Sequence, residues 1–306
     1  MGSVRAINEA PYKGGDNELE TIPDAVPTVL TEAPIEEQLA WHTLWPESHK
    51  LYGHGNELFS LCCDNQGELV ASSCKAQSAA VAEIWLWKVG SWKAVGRLQS
   101  HSLTVTQMEF SYDNSLLLAV SRDRHFSVFS IKRTGEEVNS ELVVRQEAHK
   151  RIIWGCSWNP CGHEFATGSR DKTVKIWAVV RTENKPSVEQ LTTLPQFSSS
   201  VTALSWFGLQ NNSSSNKGLL AVGMENGLIE LWFLSGKRVT DNGSRPSEFN
   251  ATLGIRLDLF ICHVSTVHRL AWRRTDDNDS NCSMALQLAS CGADHCLRVF
   301  EIGGVA

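Results

Sequence analysis

The chain has 306 residues, 28 Lys and Arg against 34 Asp and Glu, a net charge of −6, and 42% hydrophobic residues. That length is enough to bury a sizeable core as one large all-β domain. No apolar run approaches the ~20 residues of a membrane span, no secretory leader is present, and nine cysteines form no even framework, so reduced thiols and no membrane partner are expected.

The acidity sits at the front. Residues 1–50 hold nine acids and three bases, a net of −6, so the remainder balances near zero. With Pro11, Pro23, Pro27 and Pro34, residues 1–45 read as an extended or disordered segment, or as the torn end of a preceding domain.

From residue 46 to 302 a spacing recurs: a His, an Asp twenty-two residues on, and an aromatic residue six after that. A unit over about 50–99 opens at His54 and closes at Trp87 with no Asp in place. The next, about 100–147, has His101, Asp123 and Phe129; the third, about 148–196, has His149, Asp171 and Trp177. The fourth, about 197–259, closes at Trp232 but has Asn226 for Asp and no matching His. The fifth, about 260–302, has His263, Asp294 and Phe300, its first interval stretched by an insertion in the polar run Asp276-Asp277-Asn278-Asp279-Ser280. Five units at this period indicate a stacked or radial repeat.

The third unit shows what is repeated. Ile152–Trp158, Phe165–Ser169 and Thr173–Trp177 are rich in β-branched and aromatic residues, and the turns Asn159-Pro160-Cys161-Gly162 and Arg170-Asp171-Lys172 separate them. A weaker fourth strand lies at Val188–Thr192. Four antiparallel strands per unit make an all-β propeller blade. Folding brings His, Asp and Trp together, so a buried imidazole is expected between the Asp and the indole N–H, with hydroxyls from Thr167 and, in the last unit, Ser290. His101, Asp123, His149, Thr167, Asp171, Trp177, His263, Ser290 and Asp294 are thus bracing, not catalysis: a reaction needs one nucleophile, not one per blade. Blades with Phe129, Phe300 or no His are expected to rely more on packing.

Cys161 with His163, and Cys291 with Asp294, His295 and Cys296, lack the paired spacing of a structural zinc site, so no metal or cofactor is expected. The binding candidates are cations. Arg122, Arg124, Arg170 and Lys172 flank the turn Asp residues, and Lys150-Arg151 precedes a first strand, so all six come to one rim near Trp154, suited to a carboxylate or phosphate partner. The competing reading is a solvated face paired with local acids.

His149 with Asp171-Lys172-Thr173-Val174-Lys175-Ile176-Trp177 resembles the WD40 family over about residues 50–302. That resemblance implies a ring, usually of seven blades, whereas five are recognisable. A piece of a larger protein is therefore expected, one that aggregates or needs a partner for solubility when expressed alone.

Other segments are more particular: Thr43-Leu44-Trp45-Pro46-Glu47 with His49-Lys50-Leu51-Tyr52-Gly53-His54-Gly55, His101-Ser102-Leu103-Thr104-Val105-Thr106-Gln107-Met108, Arg151-Ile152-Ile153-Trp154-Gly155-Cys156, and Ala289-Ser290-Cys291-Gly292-Ala293-Asp294-His295. From about residue 28 to 300 the chain is similar to the second propeller of the Elongator second-subunit family. The resemblance implies a non-catalytic scaffold that docks the largest and catalytic Elongator subunits in support of tRNA wobble-uridine modification, in the cytoplasm and also the nucleus, with tRNA contact direct or indirect. The rival readings are another WD40 adaptor, such as a ubiquitin-ligase substrate receptor or histone-peptide reader, and a propeller hydrolase marked by a deep central pocket with perturbed carboxylates.

Overall fold

The computed structural model describes residues 4–6, 26–28, 50–135, 137–180, 186–209, 215–237, 249–273 and 286–303. Two compact units divide at Tyr52 and Gly53. In the first, β1 (Val4–Ala6) pairs antiparallel with β2 (Val26–Thr28). The rest of the segment expected to be extended lies outside the described residues, as does the polar insertion at 276–280.

The second unit is all-β and built of five blades. The first holds β3 (Leu58–Cys63), β4 (Leu69–Cys74), β5 (Ile84–Lys88) and β6 (Ala94–Leu98). The second holds β7 (Val105–Phe110), β8 (Leu116–Ser121), β9 (His125–Thr134) and β10 (Glu137–Glu147). The third holds β11 (Ile153–Trp158), β12 (Glu164–Ser169), β13 (Val174–Val180) and β14 (Ser187–Thr193), each within a few residues of the strand expected there. The fourth holds β15 (Val201–Leu209), β16 (Ser215–Met224), β17 (Ile229–Lys237) and β18 (Phe249–Arg256). The fifth differs from the four-strand expectation: among the described residues it has β19 (Val267–Trp272), β20 (Leu286–Gly292) and β21 (Leu297–Ile302) only. All pairings are antiparallel and sequential, so each blade is a meander.

The core lies between the blades rather than inside them. Both faces of a sheet with no helix cover must be buried on neighbouring sheets, and the apolar clusters fall one to each joint. Leu117, Leu86 and Phe129 fill the first joint; Phe126, Phe165 and Trp177 the second; Ile176, Leu204 and Val222 the third; Leu231, Val267 and Leu288 the fourth. First-strand side chains add direction. Trp158 Nε1 donates to the Glu109 carbonyl at 2.9 Å, Trp272 Nε1 to the Ser205 carbonyl at 3.0 Å, and the Thr106 and Thr202 hydroxyls to Ile153 and Val267 carbonyls at 2.6 Å. Across the first joint Arg133 reaches the buried Asp64 and the exposed Glu68.

The outer faces of the first and last blades lack such cover among the described residues. Ile229 and Leu231 are fully buried against the fifth blade, but their register equivalents Leu297 and Val299 are 73% and 61% exposed. Val267 and Leu270 are buried, but their equivalents on β3, Leu58 and Leu61, are 55% and 62% exposed. Each such side chain forgoes more than half of the about 1.5–3 kcal/mol that full burial is worth. We expect the isolated chain to self-associate as its concentration rises, and Leu297→Asp with Val299→Asp to suppress this in sedimentation velocity. A monomer at every concentration tested would contradict the exposed-face account.

Candidate functional site

One end of the arc carries the turns between second and third strands together with the loops that enter each first strand, and a carboxylate ties the two. In the third blade Asp171 accepts the Lys150 N–H at 3.1 Å and the Thr173 N–H at 3.1 Å, while the Ser169 hydroxyl accepts the Asp171 N–H at 3.1 Å. In the second blade Asp123 accepts the Ser102 and His125 N–H groups, both at 3.0 Å. In the fifth Asp294 accepts those of Val264 and Cys296, both at 3.3 Å. The next residue takes a left-handed conformation, with φ of 73° at Arg124, 66° at Lys172 and 60° at His295; the fourth blade places Gly227 there at 88°. Three of the four blades thus accept about 1 kcal/mol of strain at a side chain that glycine would avoid.

Behind the third-blade clamp runs a polar chain of the residues that the spacing brings together, with one correction to the expected order. The indole does not reach the imidazole. Trp177 Nε1–H donates to Thr167 Oγ at 2.9 Å, and Thr167 Oγ lies 2.8 Å from His149 Nε2. Since the Asp171 carboxylate can only accept, the imidazole proton sits on Nδ1, 3.1 Å away, and Nε2 of the neutral ring then accepts from the Thr167 hydroxyl, whose oxygen takes the indole N–H. Thr167 is the middle of the chain, not an accessory.

The same register position decides what the other blades keep. In the first, Ser72 Oγ accepts from Trp87 Nε1 at 2.8 Å and lies 2.8 Å from His54 Nε2, so a unit read as eroded keeps most of its network, with Ala76 in the Asp position. In the fifth, His263 lies 2.8 Å from Asp294 and 2.7 Å from Ser290, so Phe300 costs only the indole, not the network. In the second, Ala119 takes the hydroxyl position and Phe129 the indole position. His101 keeps Asp123 at 3.1 Å, but its buried Nε2 has no partner. In the fourth, the position holds Val222, and Phe197 packs edge-on against Trp232 with ring centroids 5.6 Å apart. There Trp232 Nε1 donates to the buried Glu230 at 3.1 Å, which Arg256 holds at 2.8 Å.

Burial pushes the carboxyls of Asp123, Asp171 and Asp294 up, but hydrogen bonds from the histidines and from main-chain N–H groups outweigh it and hold all three well below the usual carboxylate range. Asp113 is held low in the same way by Ser111, Ser115 and His163. Each carboxylate is occupied by its own turn, the arrangement of a brace rather than of a general acid or base.

The cations form a narrower patch than six. Arg122 and Arg170 hold equivalent places, their N–H groups bonded to the Thr104 and Ile152 carbonyls at 3.0 and 2.9 Å. With Lys150 and Arg151 they are exposed, and their side chains have no acidic partner among the described residues. Arg124 is tied to Glu147 at 3.4 Å, and Lys172 donates to the Ser198 carbonyl at 3.1 Å, so these two are partly committed. Trp154 beside them is half-buried. Around the rim the place of Arg122 is taken by Lys75, which pairs with Glu57, then by Glu225 and Ala293, so among the described residues only the second and third blades put a free cation at this place.

Two measurements test the brace. Ala119→Ser should give His101 Nε2 a donor and raise stability by about 1 kcal/mol in urea unfolding; no gain would mean that the orphaned nitrogen is not a weak point. For the depressed aspartates, the unfolded chain binds protons first as pH falls below about 4. Their contribution is therefore complete above that pH and lost as pH falls toward the folded-state values. Asp171→Asn should lower stability at pH 7 and flatten the acid arm of the urea midpoint against pH.

The description "WD domain, G-beta repeat" matches residues 92–130 and 140–178, each range running from the outer strand of one blade into the third strand of the next. The chain is similar to Elongator complex protein 2 of Arabidopsis thaliana, 63% identical over 94% of this chain and 33% of that protein. It is similar to the Homo sapiens protein of that name at 35% over 92% of the chain and 35% of that protein, and to the Saccharomyces cerevisiae one at 38% over 72% and 27%. The chain spans about a third of the length of these relatives. Blade architecture, repeated braces and these matches together place the chain in the WD40-repeat family, in the line of Elongator complex protein 2.

Proposed function

We propose that the chain serves as a non-catalytic WD40 scaffold in an Elongator assembly, docking the largest and catalytic subunits and so supporting wobble-uridine modification of tRNA in the cytoplasm and nucleus. The observation that carries this reading is the match along nearly the whole chain to proteins named Elongator complex protein 2. The geometry suits the role: the braces fix a rim whose side chains can vary without disturbing the joints beneath. On that rim Arg122, Lys150, Arg151 and Arg170 are the proposed contacts for acidic partner groups, carboxylate or tRNA phosphate, because a free guanidinium fork meets either in bidentate fashion.

Purified largest and catalytic subunits should be retained by the tagged chain. Arg122→Glu with Arg170→Glu should weaken retention at low salt, with a melting temperature close to that of the unaltered chain because both side chains are exposed. Loss of tRNA binding with a steep salt dependence would assign part of the patch to phosphate. Retention and tRNA binding both unchanged would remove the rim from the proposal, and capture of cullin-linked adaptors or histones in place of the subunits would replace it.

A further inference from the structure

The loop between the fourth and fifth blades departs from its equivalents. Ala148 alone separates the end of β10 from His149, whereas Leu257–Cys262 intervenes between β18 and His263. The extra residues form a fixed turn. Asp258 Oδ1 accepts the Phe260 N–H at 2.9 Å, and the Asp258 carbonyl accepts the N–H groups of Ile261 and Cys262, both at 3.1 Å. Leu257 and Cys262 at its feet are buried in the fourth joint, and the Leu257 N–H donates to the Ile229 carbonyl at 3.0 Å. Below, Gly227 lies so close to the His263 carbonyl that a Cβ would fall 1.9 Å from its oxygen.

Between these anchors the apolar side chains face water. Phe260 is 97% exposed, Val264 85%, Leu259 66% and Ile261 50%. An ordered turn that presents an aromatic residue flanked by aliphatics is unlike the scattered apolar exposure of a monomer surface and has the form of an interface anchor. Because Asp294 clamps Val264, and the Thr266 hydroxyl donates to the Glu225 carbonyl at 3.2 Å, the turn stands on the same rim as the free cations.

We infer that Leu259-Phe260-Ile261, with Val264, is a docking knob that seats in an apolar pocket on a protein partner, the border of that pocket toward the second and third blades being acidic. The surrounding charges select this occupant. Asp258 in the turn and Glu225 at its foot would be repelled by an anionic bilayer, and the nearby Arg256 and Arg298 are taken up by Glu230 and Asp294, whereas Arg170 and Arg122 farther along the rim have no acidic partner among the described residues and attract an acidic border. The inference deepens the scaffold reading and rests on it: the knob supplies the apolar part of the contact whose ionic part is the cation patch.

The test uses the full chain with the purified largest and catalytic Elongator subunits. Phe260→Ala and Phe260→Asp should each weaken the affinity by about tenfold or more, as for a buried aromatic anchor. The loss should persist at high salt, where the effect of Arg122→Glu fades. The unchanged melting temperature expected of so exposed a side chain serves as the folding control. If the unaltered chain binds and the Phe260 variants bind equally well, the knob inference is overturned and the scaffold reading stands. If the unaltered chain binds neither subunit, the scaffold reading itself fails. Binding of the unaltered chain to phosphatidylcholine–phosphatidylserine vesicles that Phe260→Asp abolishes, with subunit affinity unchanged, would assign the knob to lipid and overturn the inference.

Discussion

A carboxylate that accepts main-chain N–H groups from two sides is what the rim of this molecule depends on. Asp123, Asp171 and Asp294 each join the turn after the second strand to the loop before the first, so the rim side chains of the second, third and fifth blades take their positions from them. The apolar joints fix how blades stack, and the carboxylates fix where their ends point. Without the second constraint Arg122 and Arg170 would sit on loops free to wander, and their convergence would have no physical basis.

The fourth blade shows that the constraint has an alternative solution. Asn226 and Phe197 stand where the other blades have a carboxylate and an imidazole, and the polar chain is replaced by Phe197, Val222 and Trp232. The indole N–H still needs an acceptor, and Glu230 supplies it from two residues away on the same strand face. Replacing a whole buried polar network by apolar groups costs little, while leaving one member behind is expensive. His101 is the one that was left behind: its Asp remains, but Ala119 offers no hydroxyl.

Much of this was legible because a strand has a fixed period and a blade a fixed path, so equal spacings return residues to equal places. The twenty-two-residue interval found the clamps of the second and third blades, and its stretched copy found that of the fifth. Ser72 escaped notice although the signal was present: it lies eighteen residues after His54, as Thr167 does after His149. The rim was legible in its residues but not in its extent, since the pairing of Arg124 with Glu147 and of Lys75 with Glu57 depends on side-chain reach, which spacing does not encode. The Leu257–Val264 turn was not legible at all. The repeated spacing gives these residues no place, and it is the Asp258 turn geometry that sends the middle of the run outward.

The central claim is that partners meet the braced end of the blades. Hydrogen–deuterium exchange on the chain with and without the largest and catalytic Elongator subunits measures this directly. The account predicts slowed exchange at residues 122–124, 150–152, 170–172 and 257–264, with none at the opposite turns 64–68, 111–115 and 159–163. Slowed exchange confined to those opposite turns would contradict it.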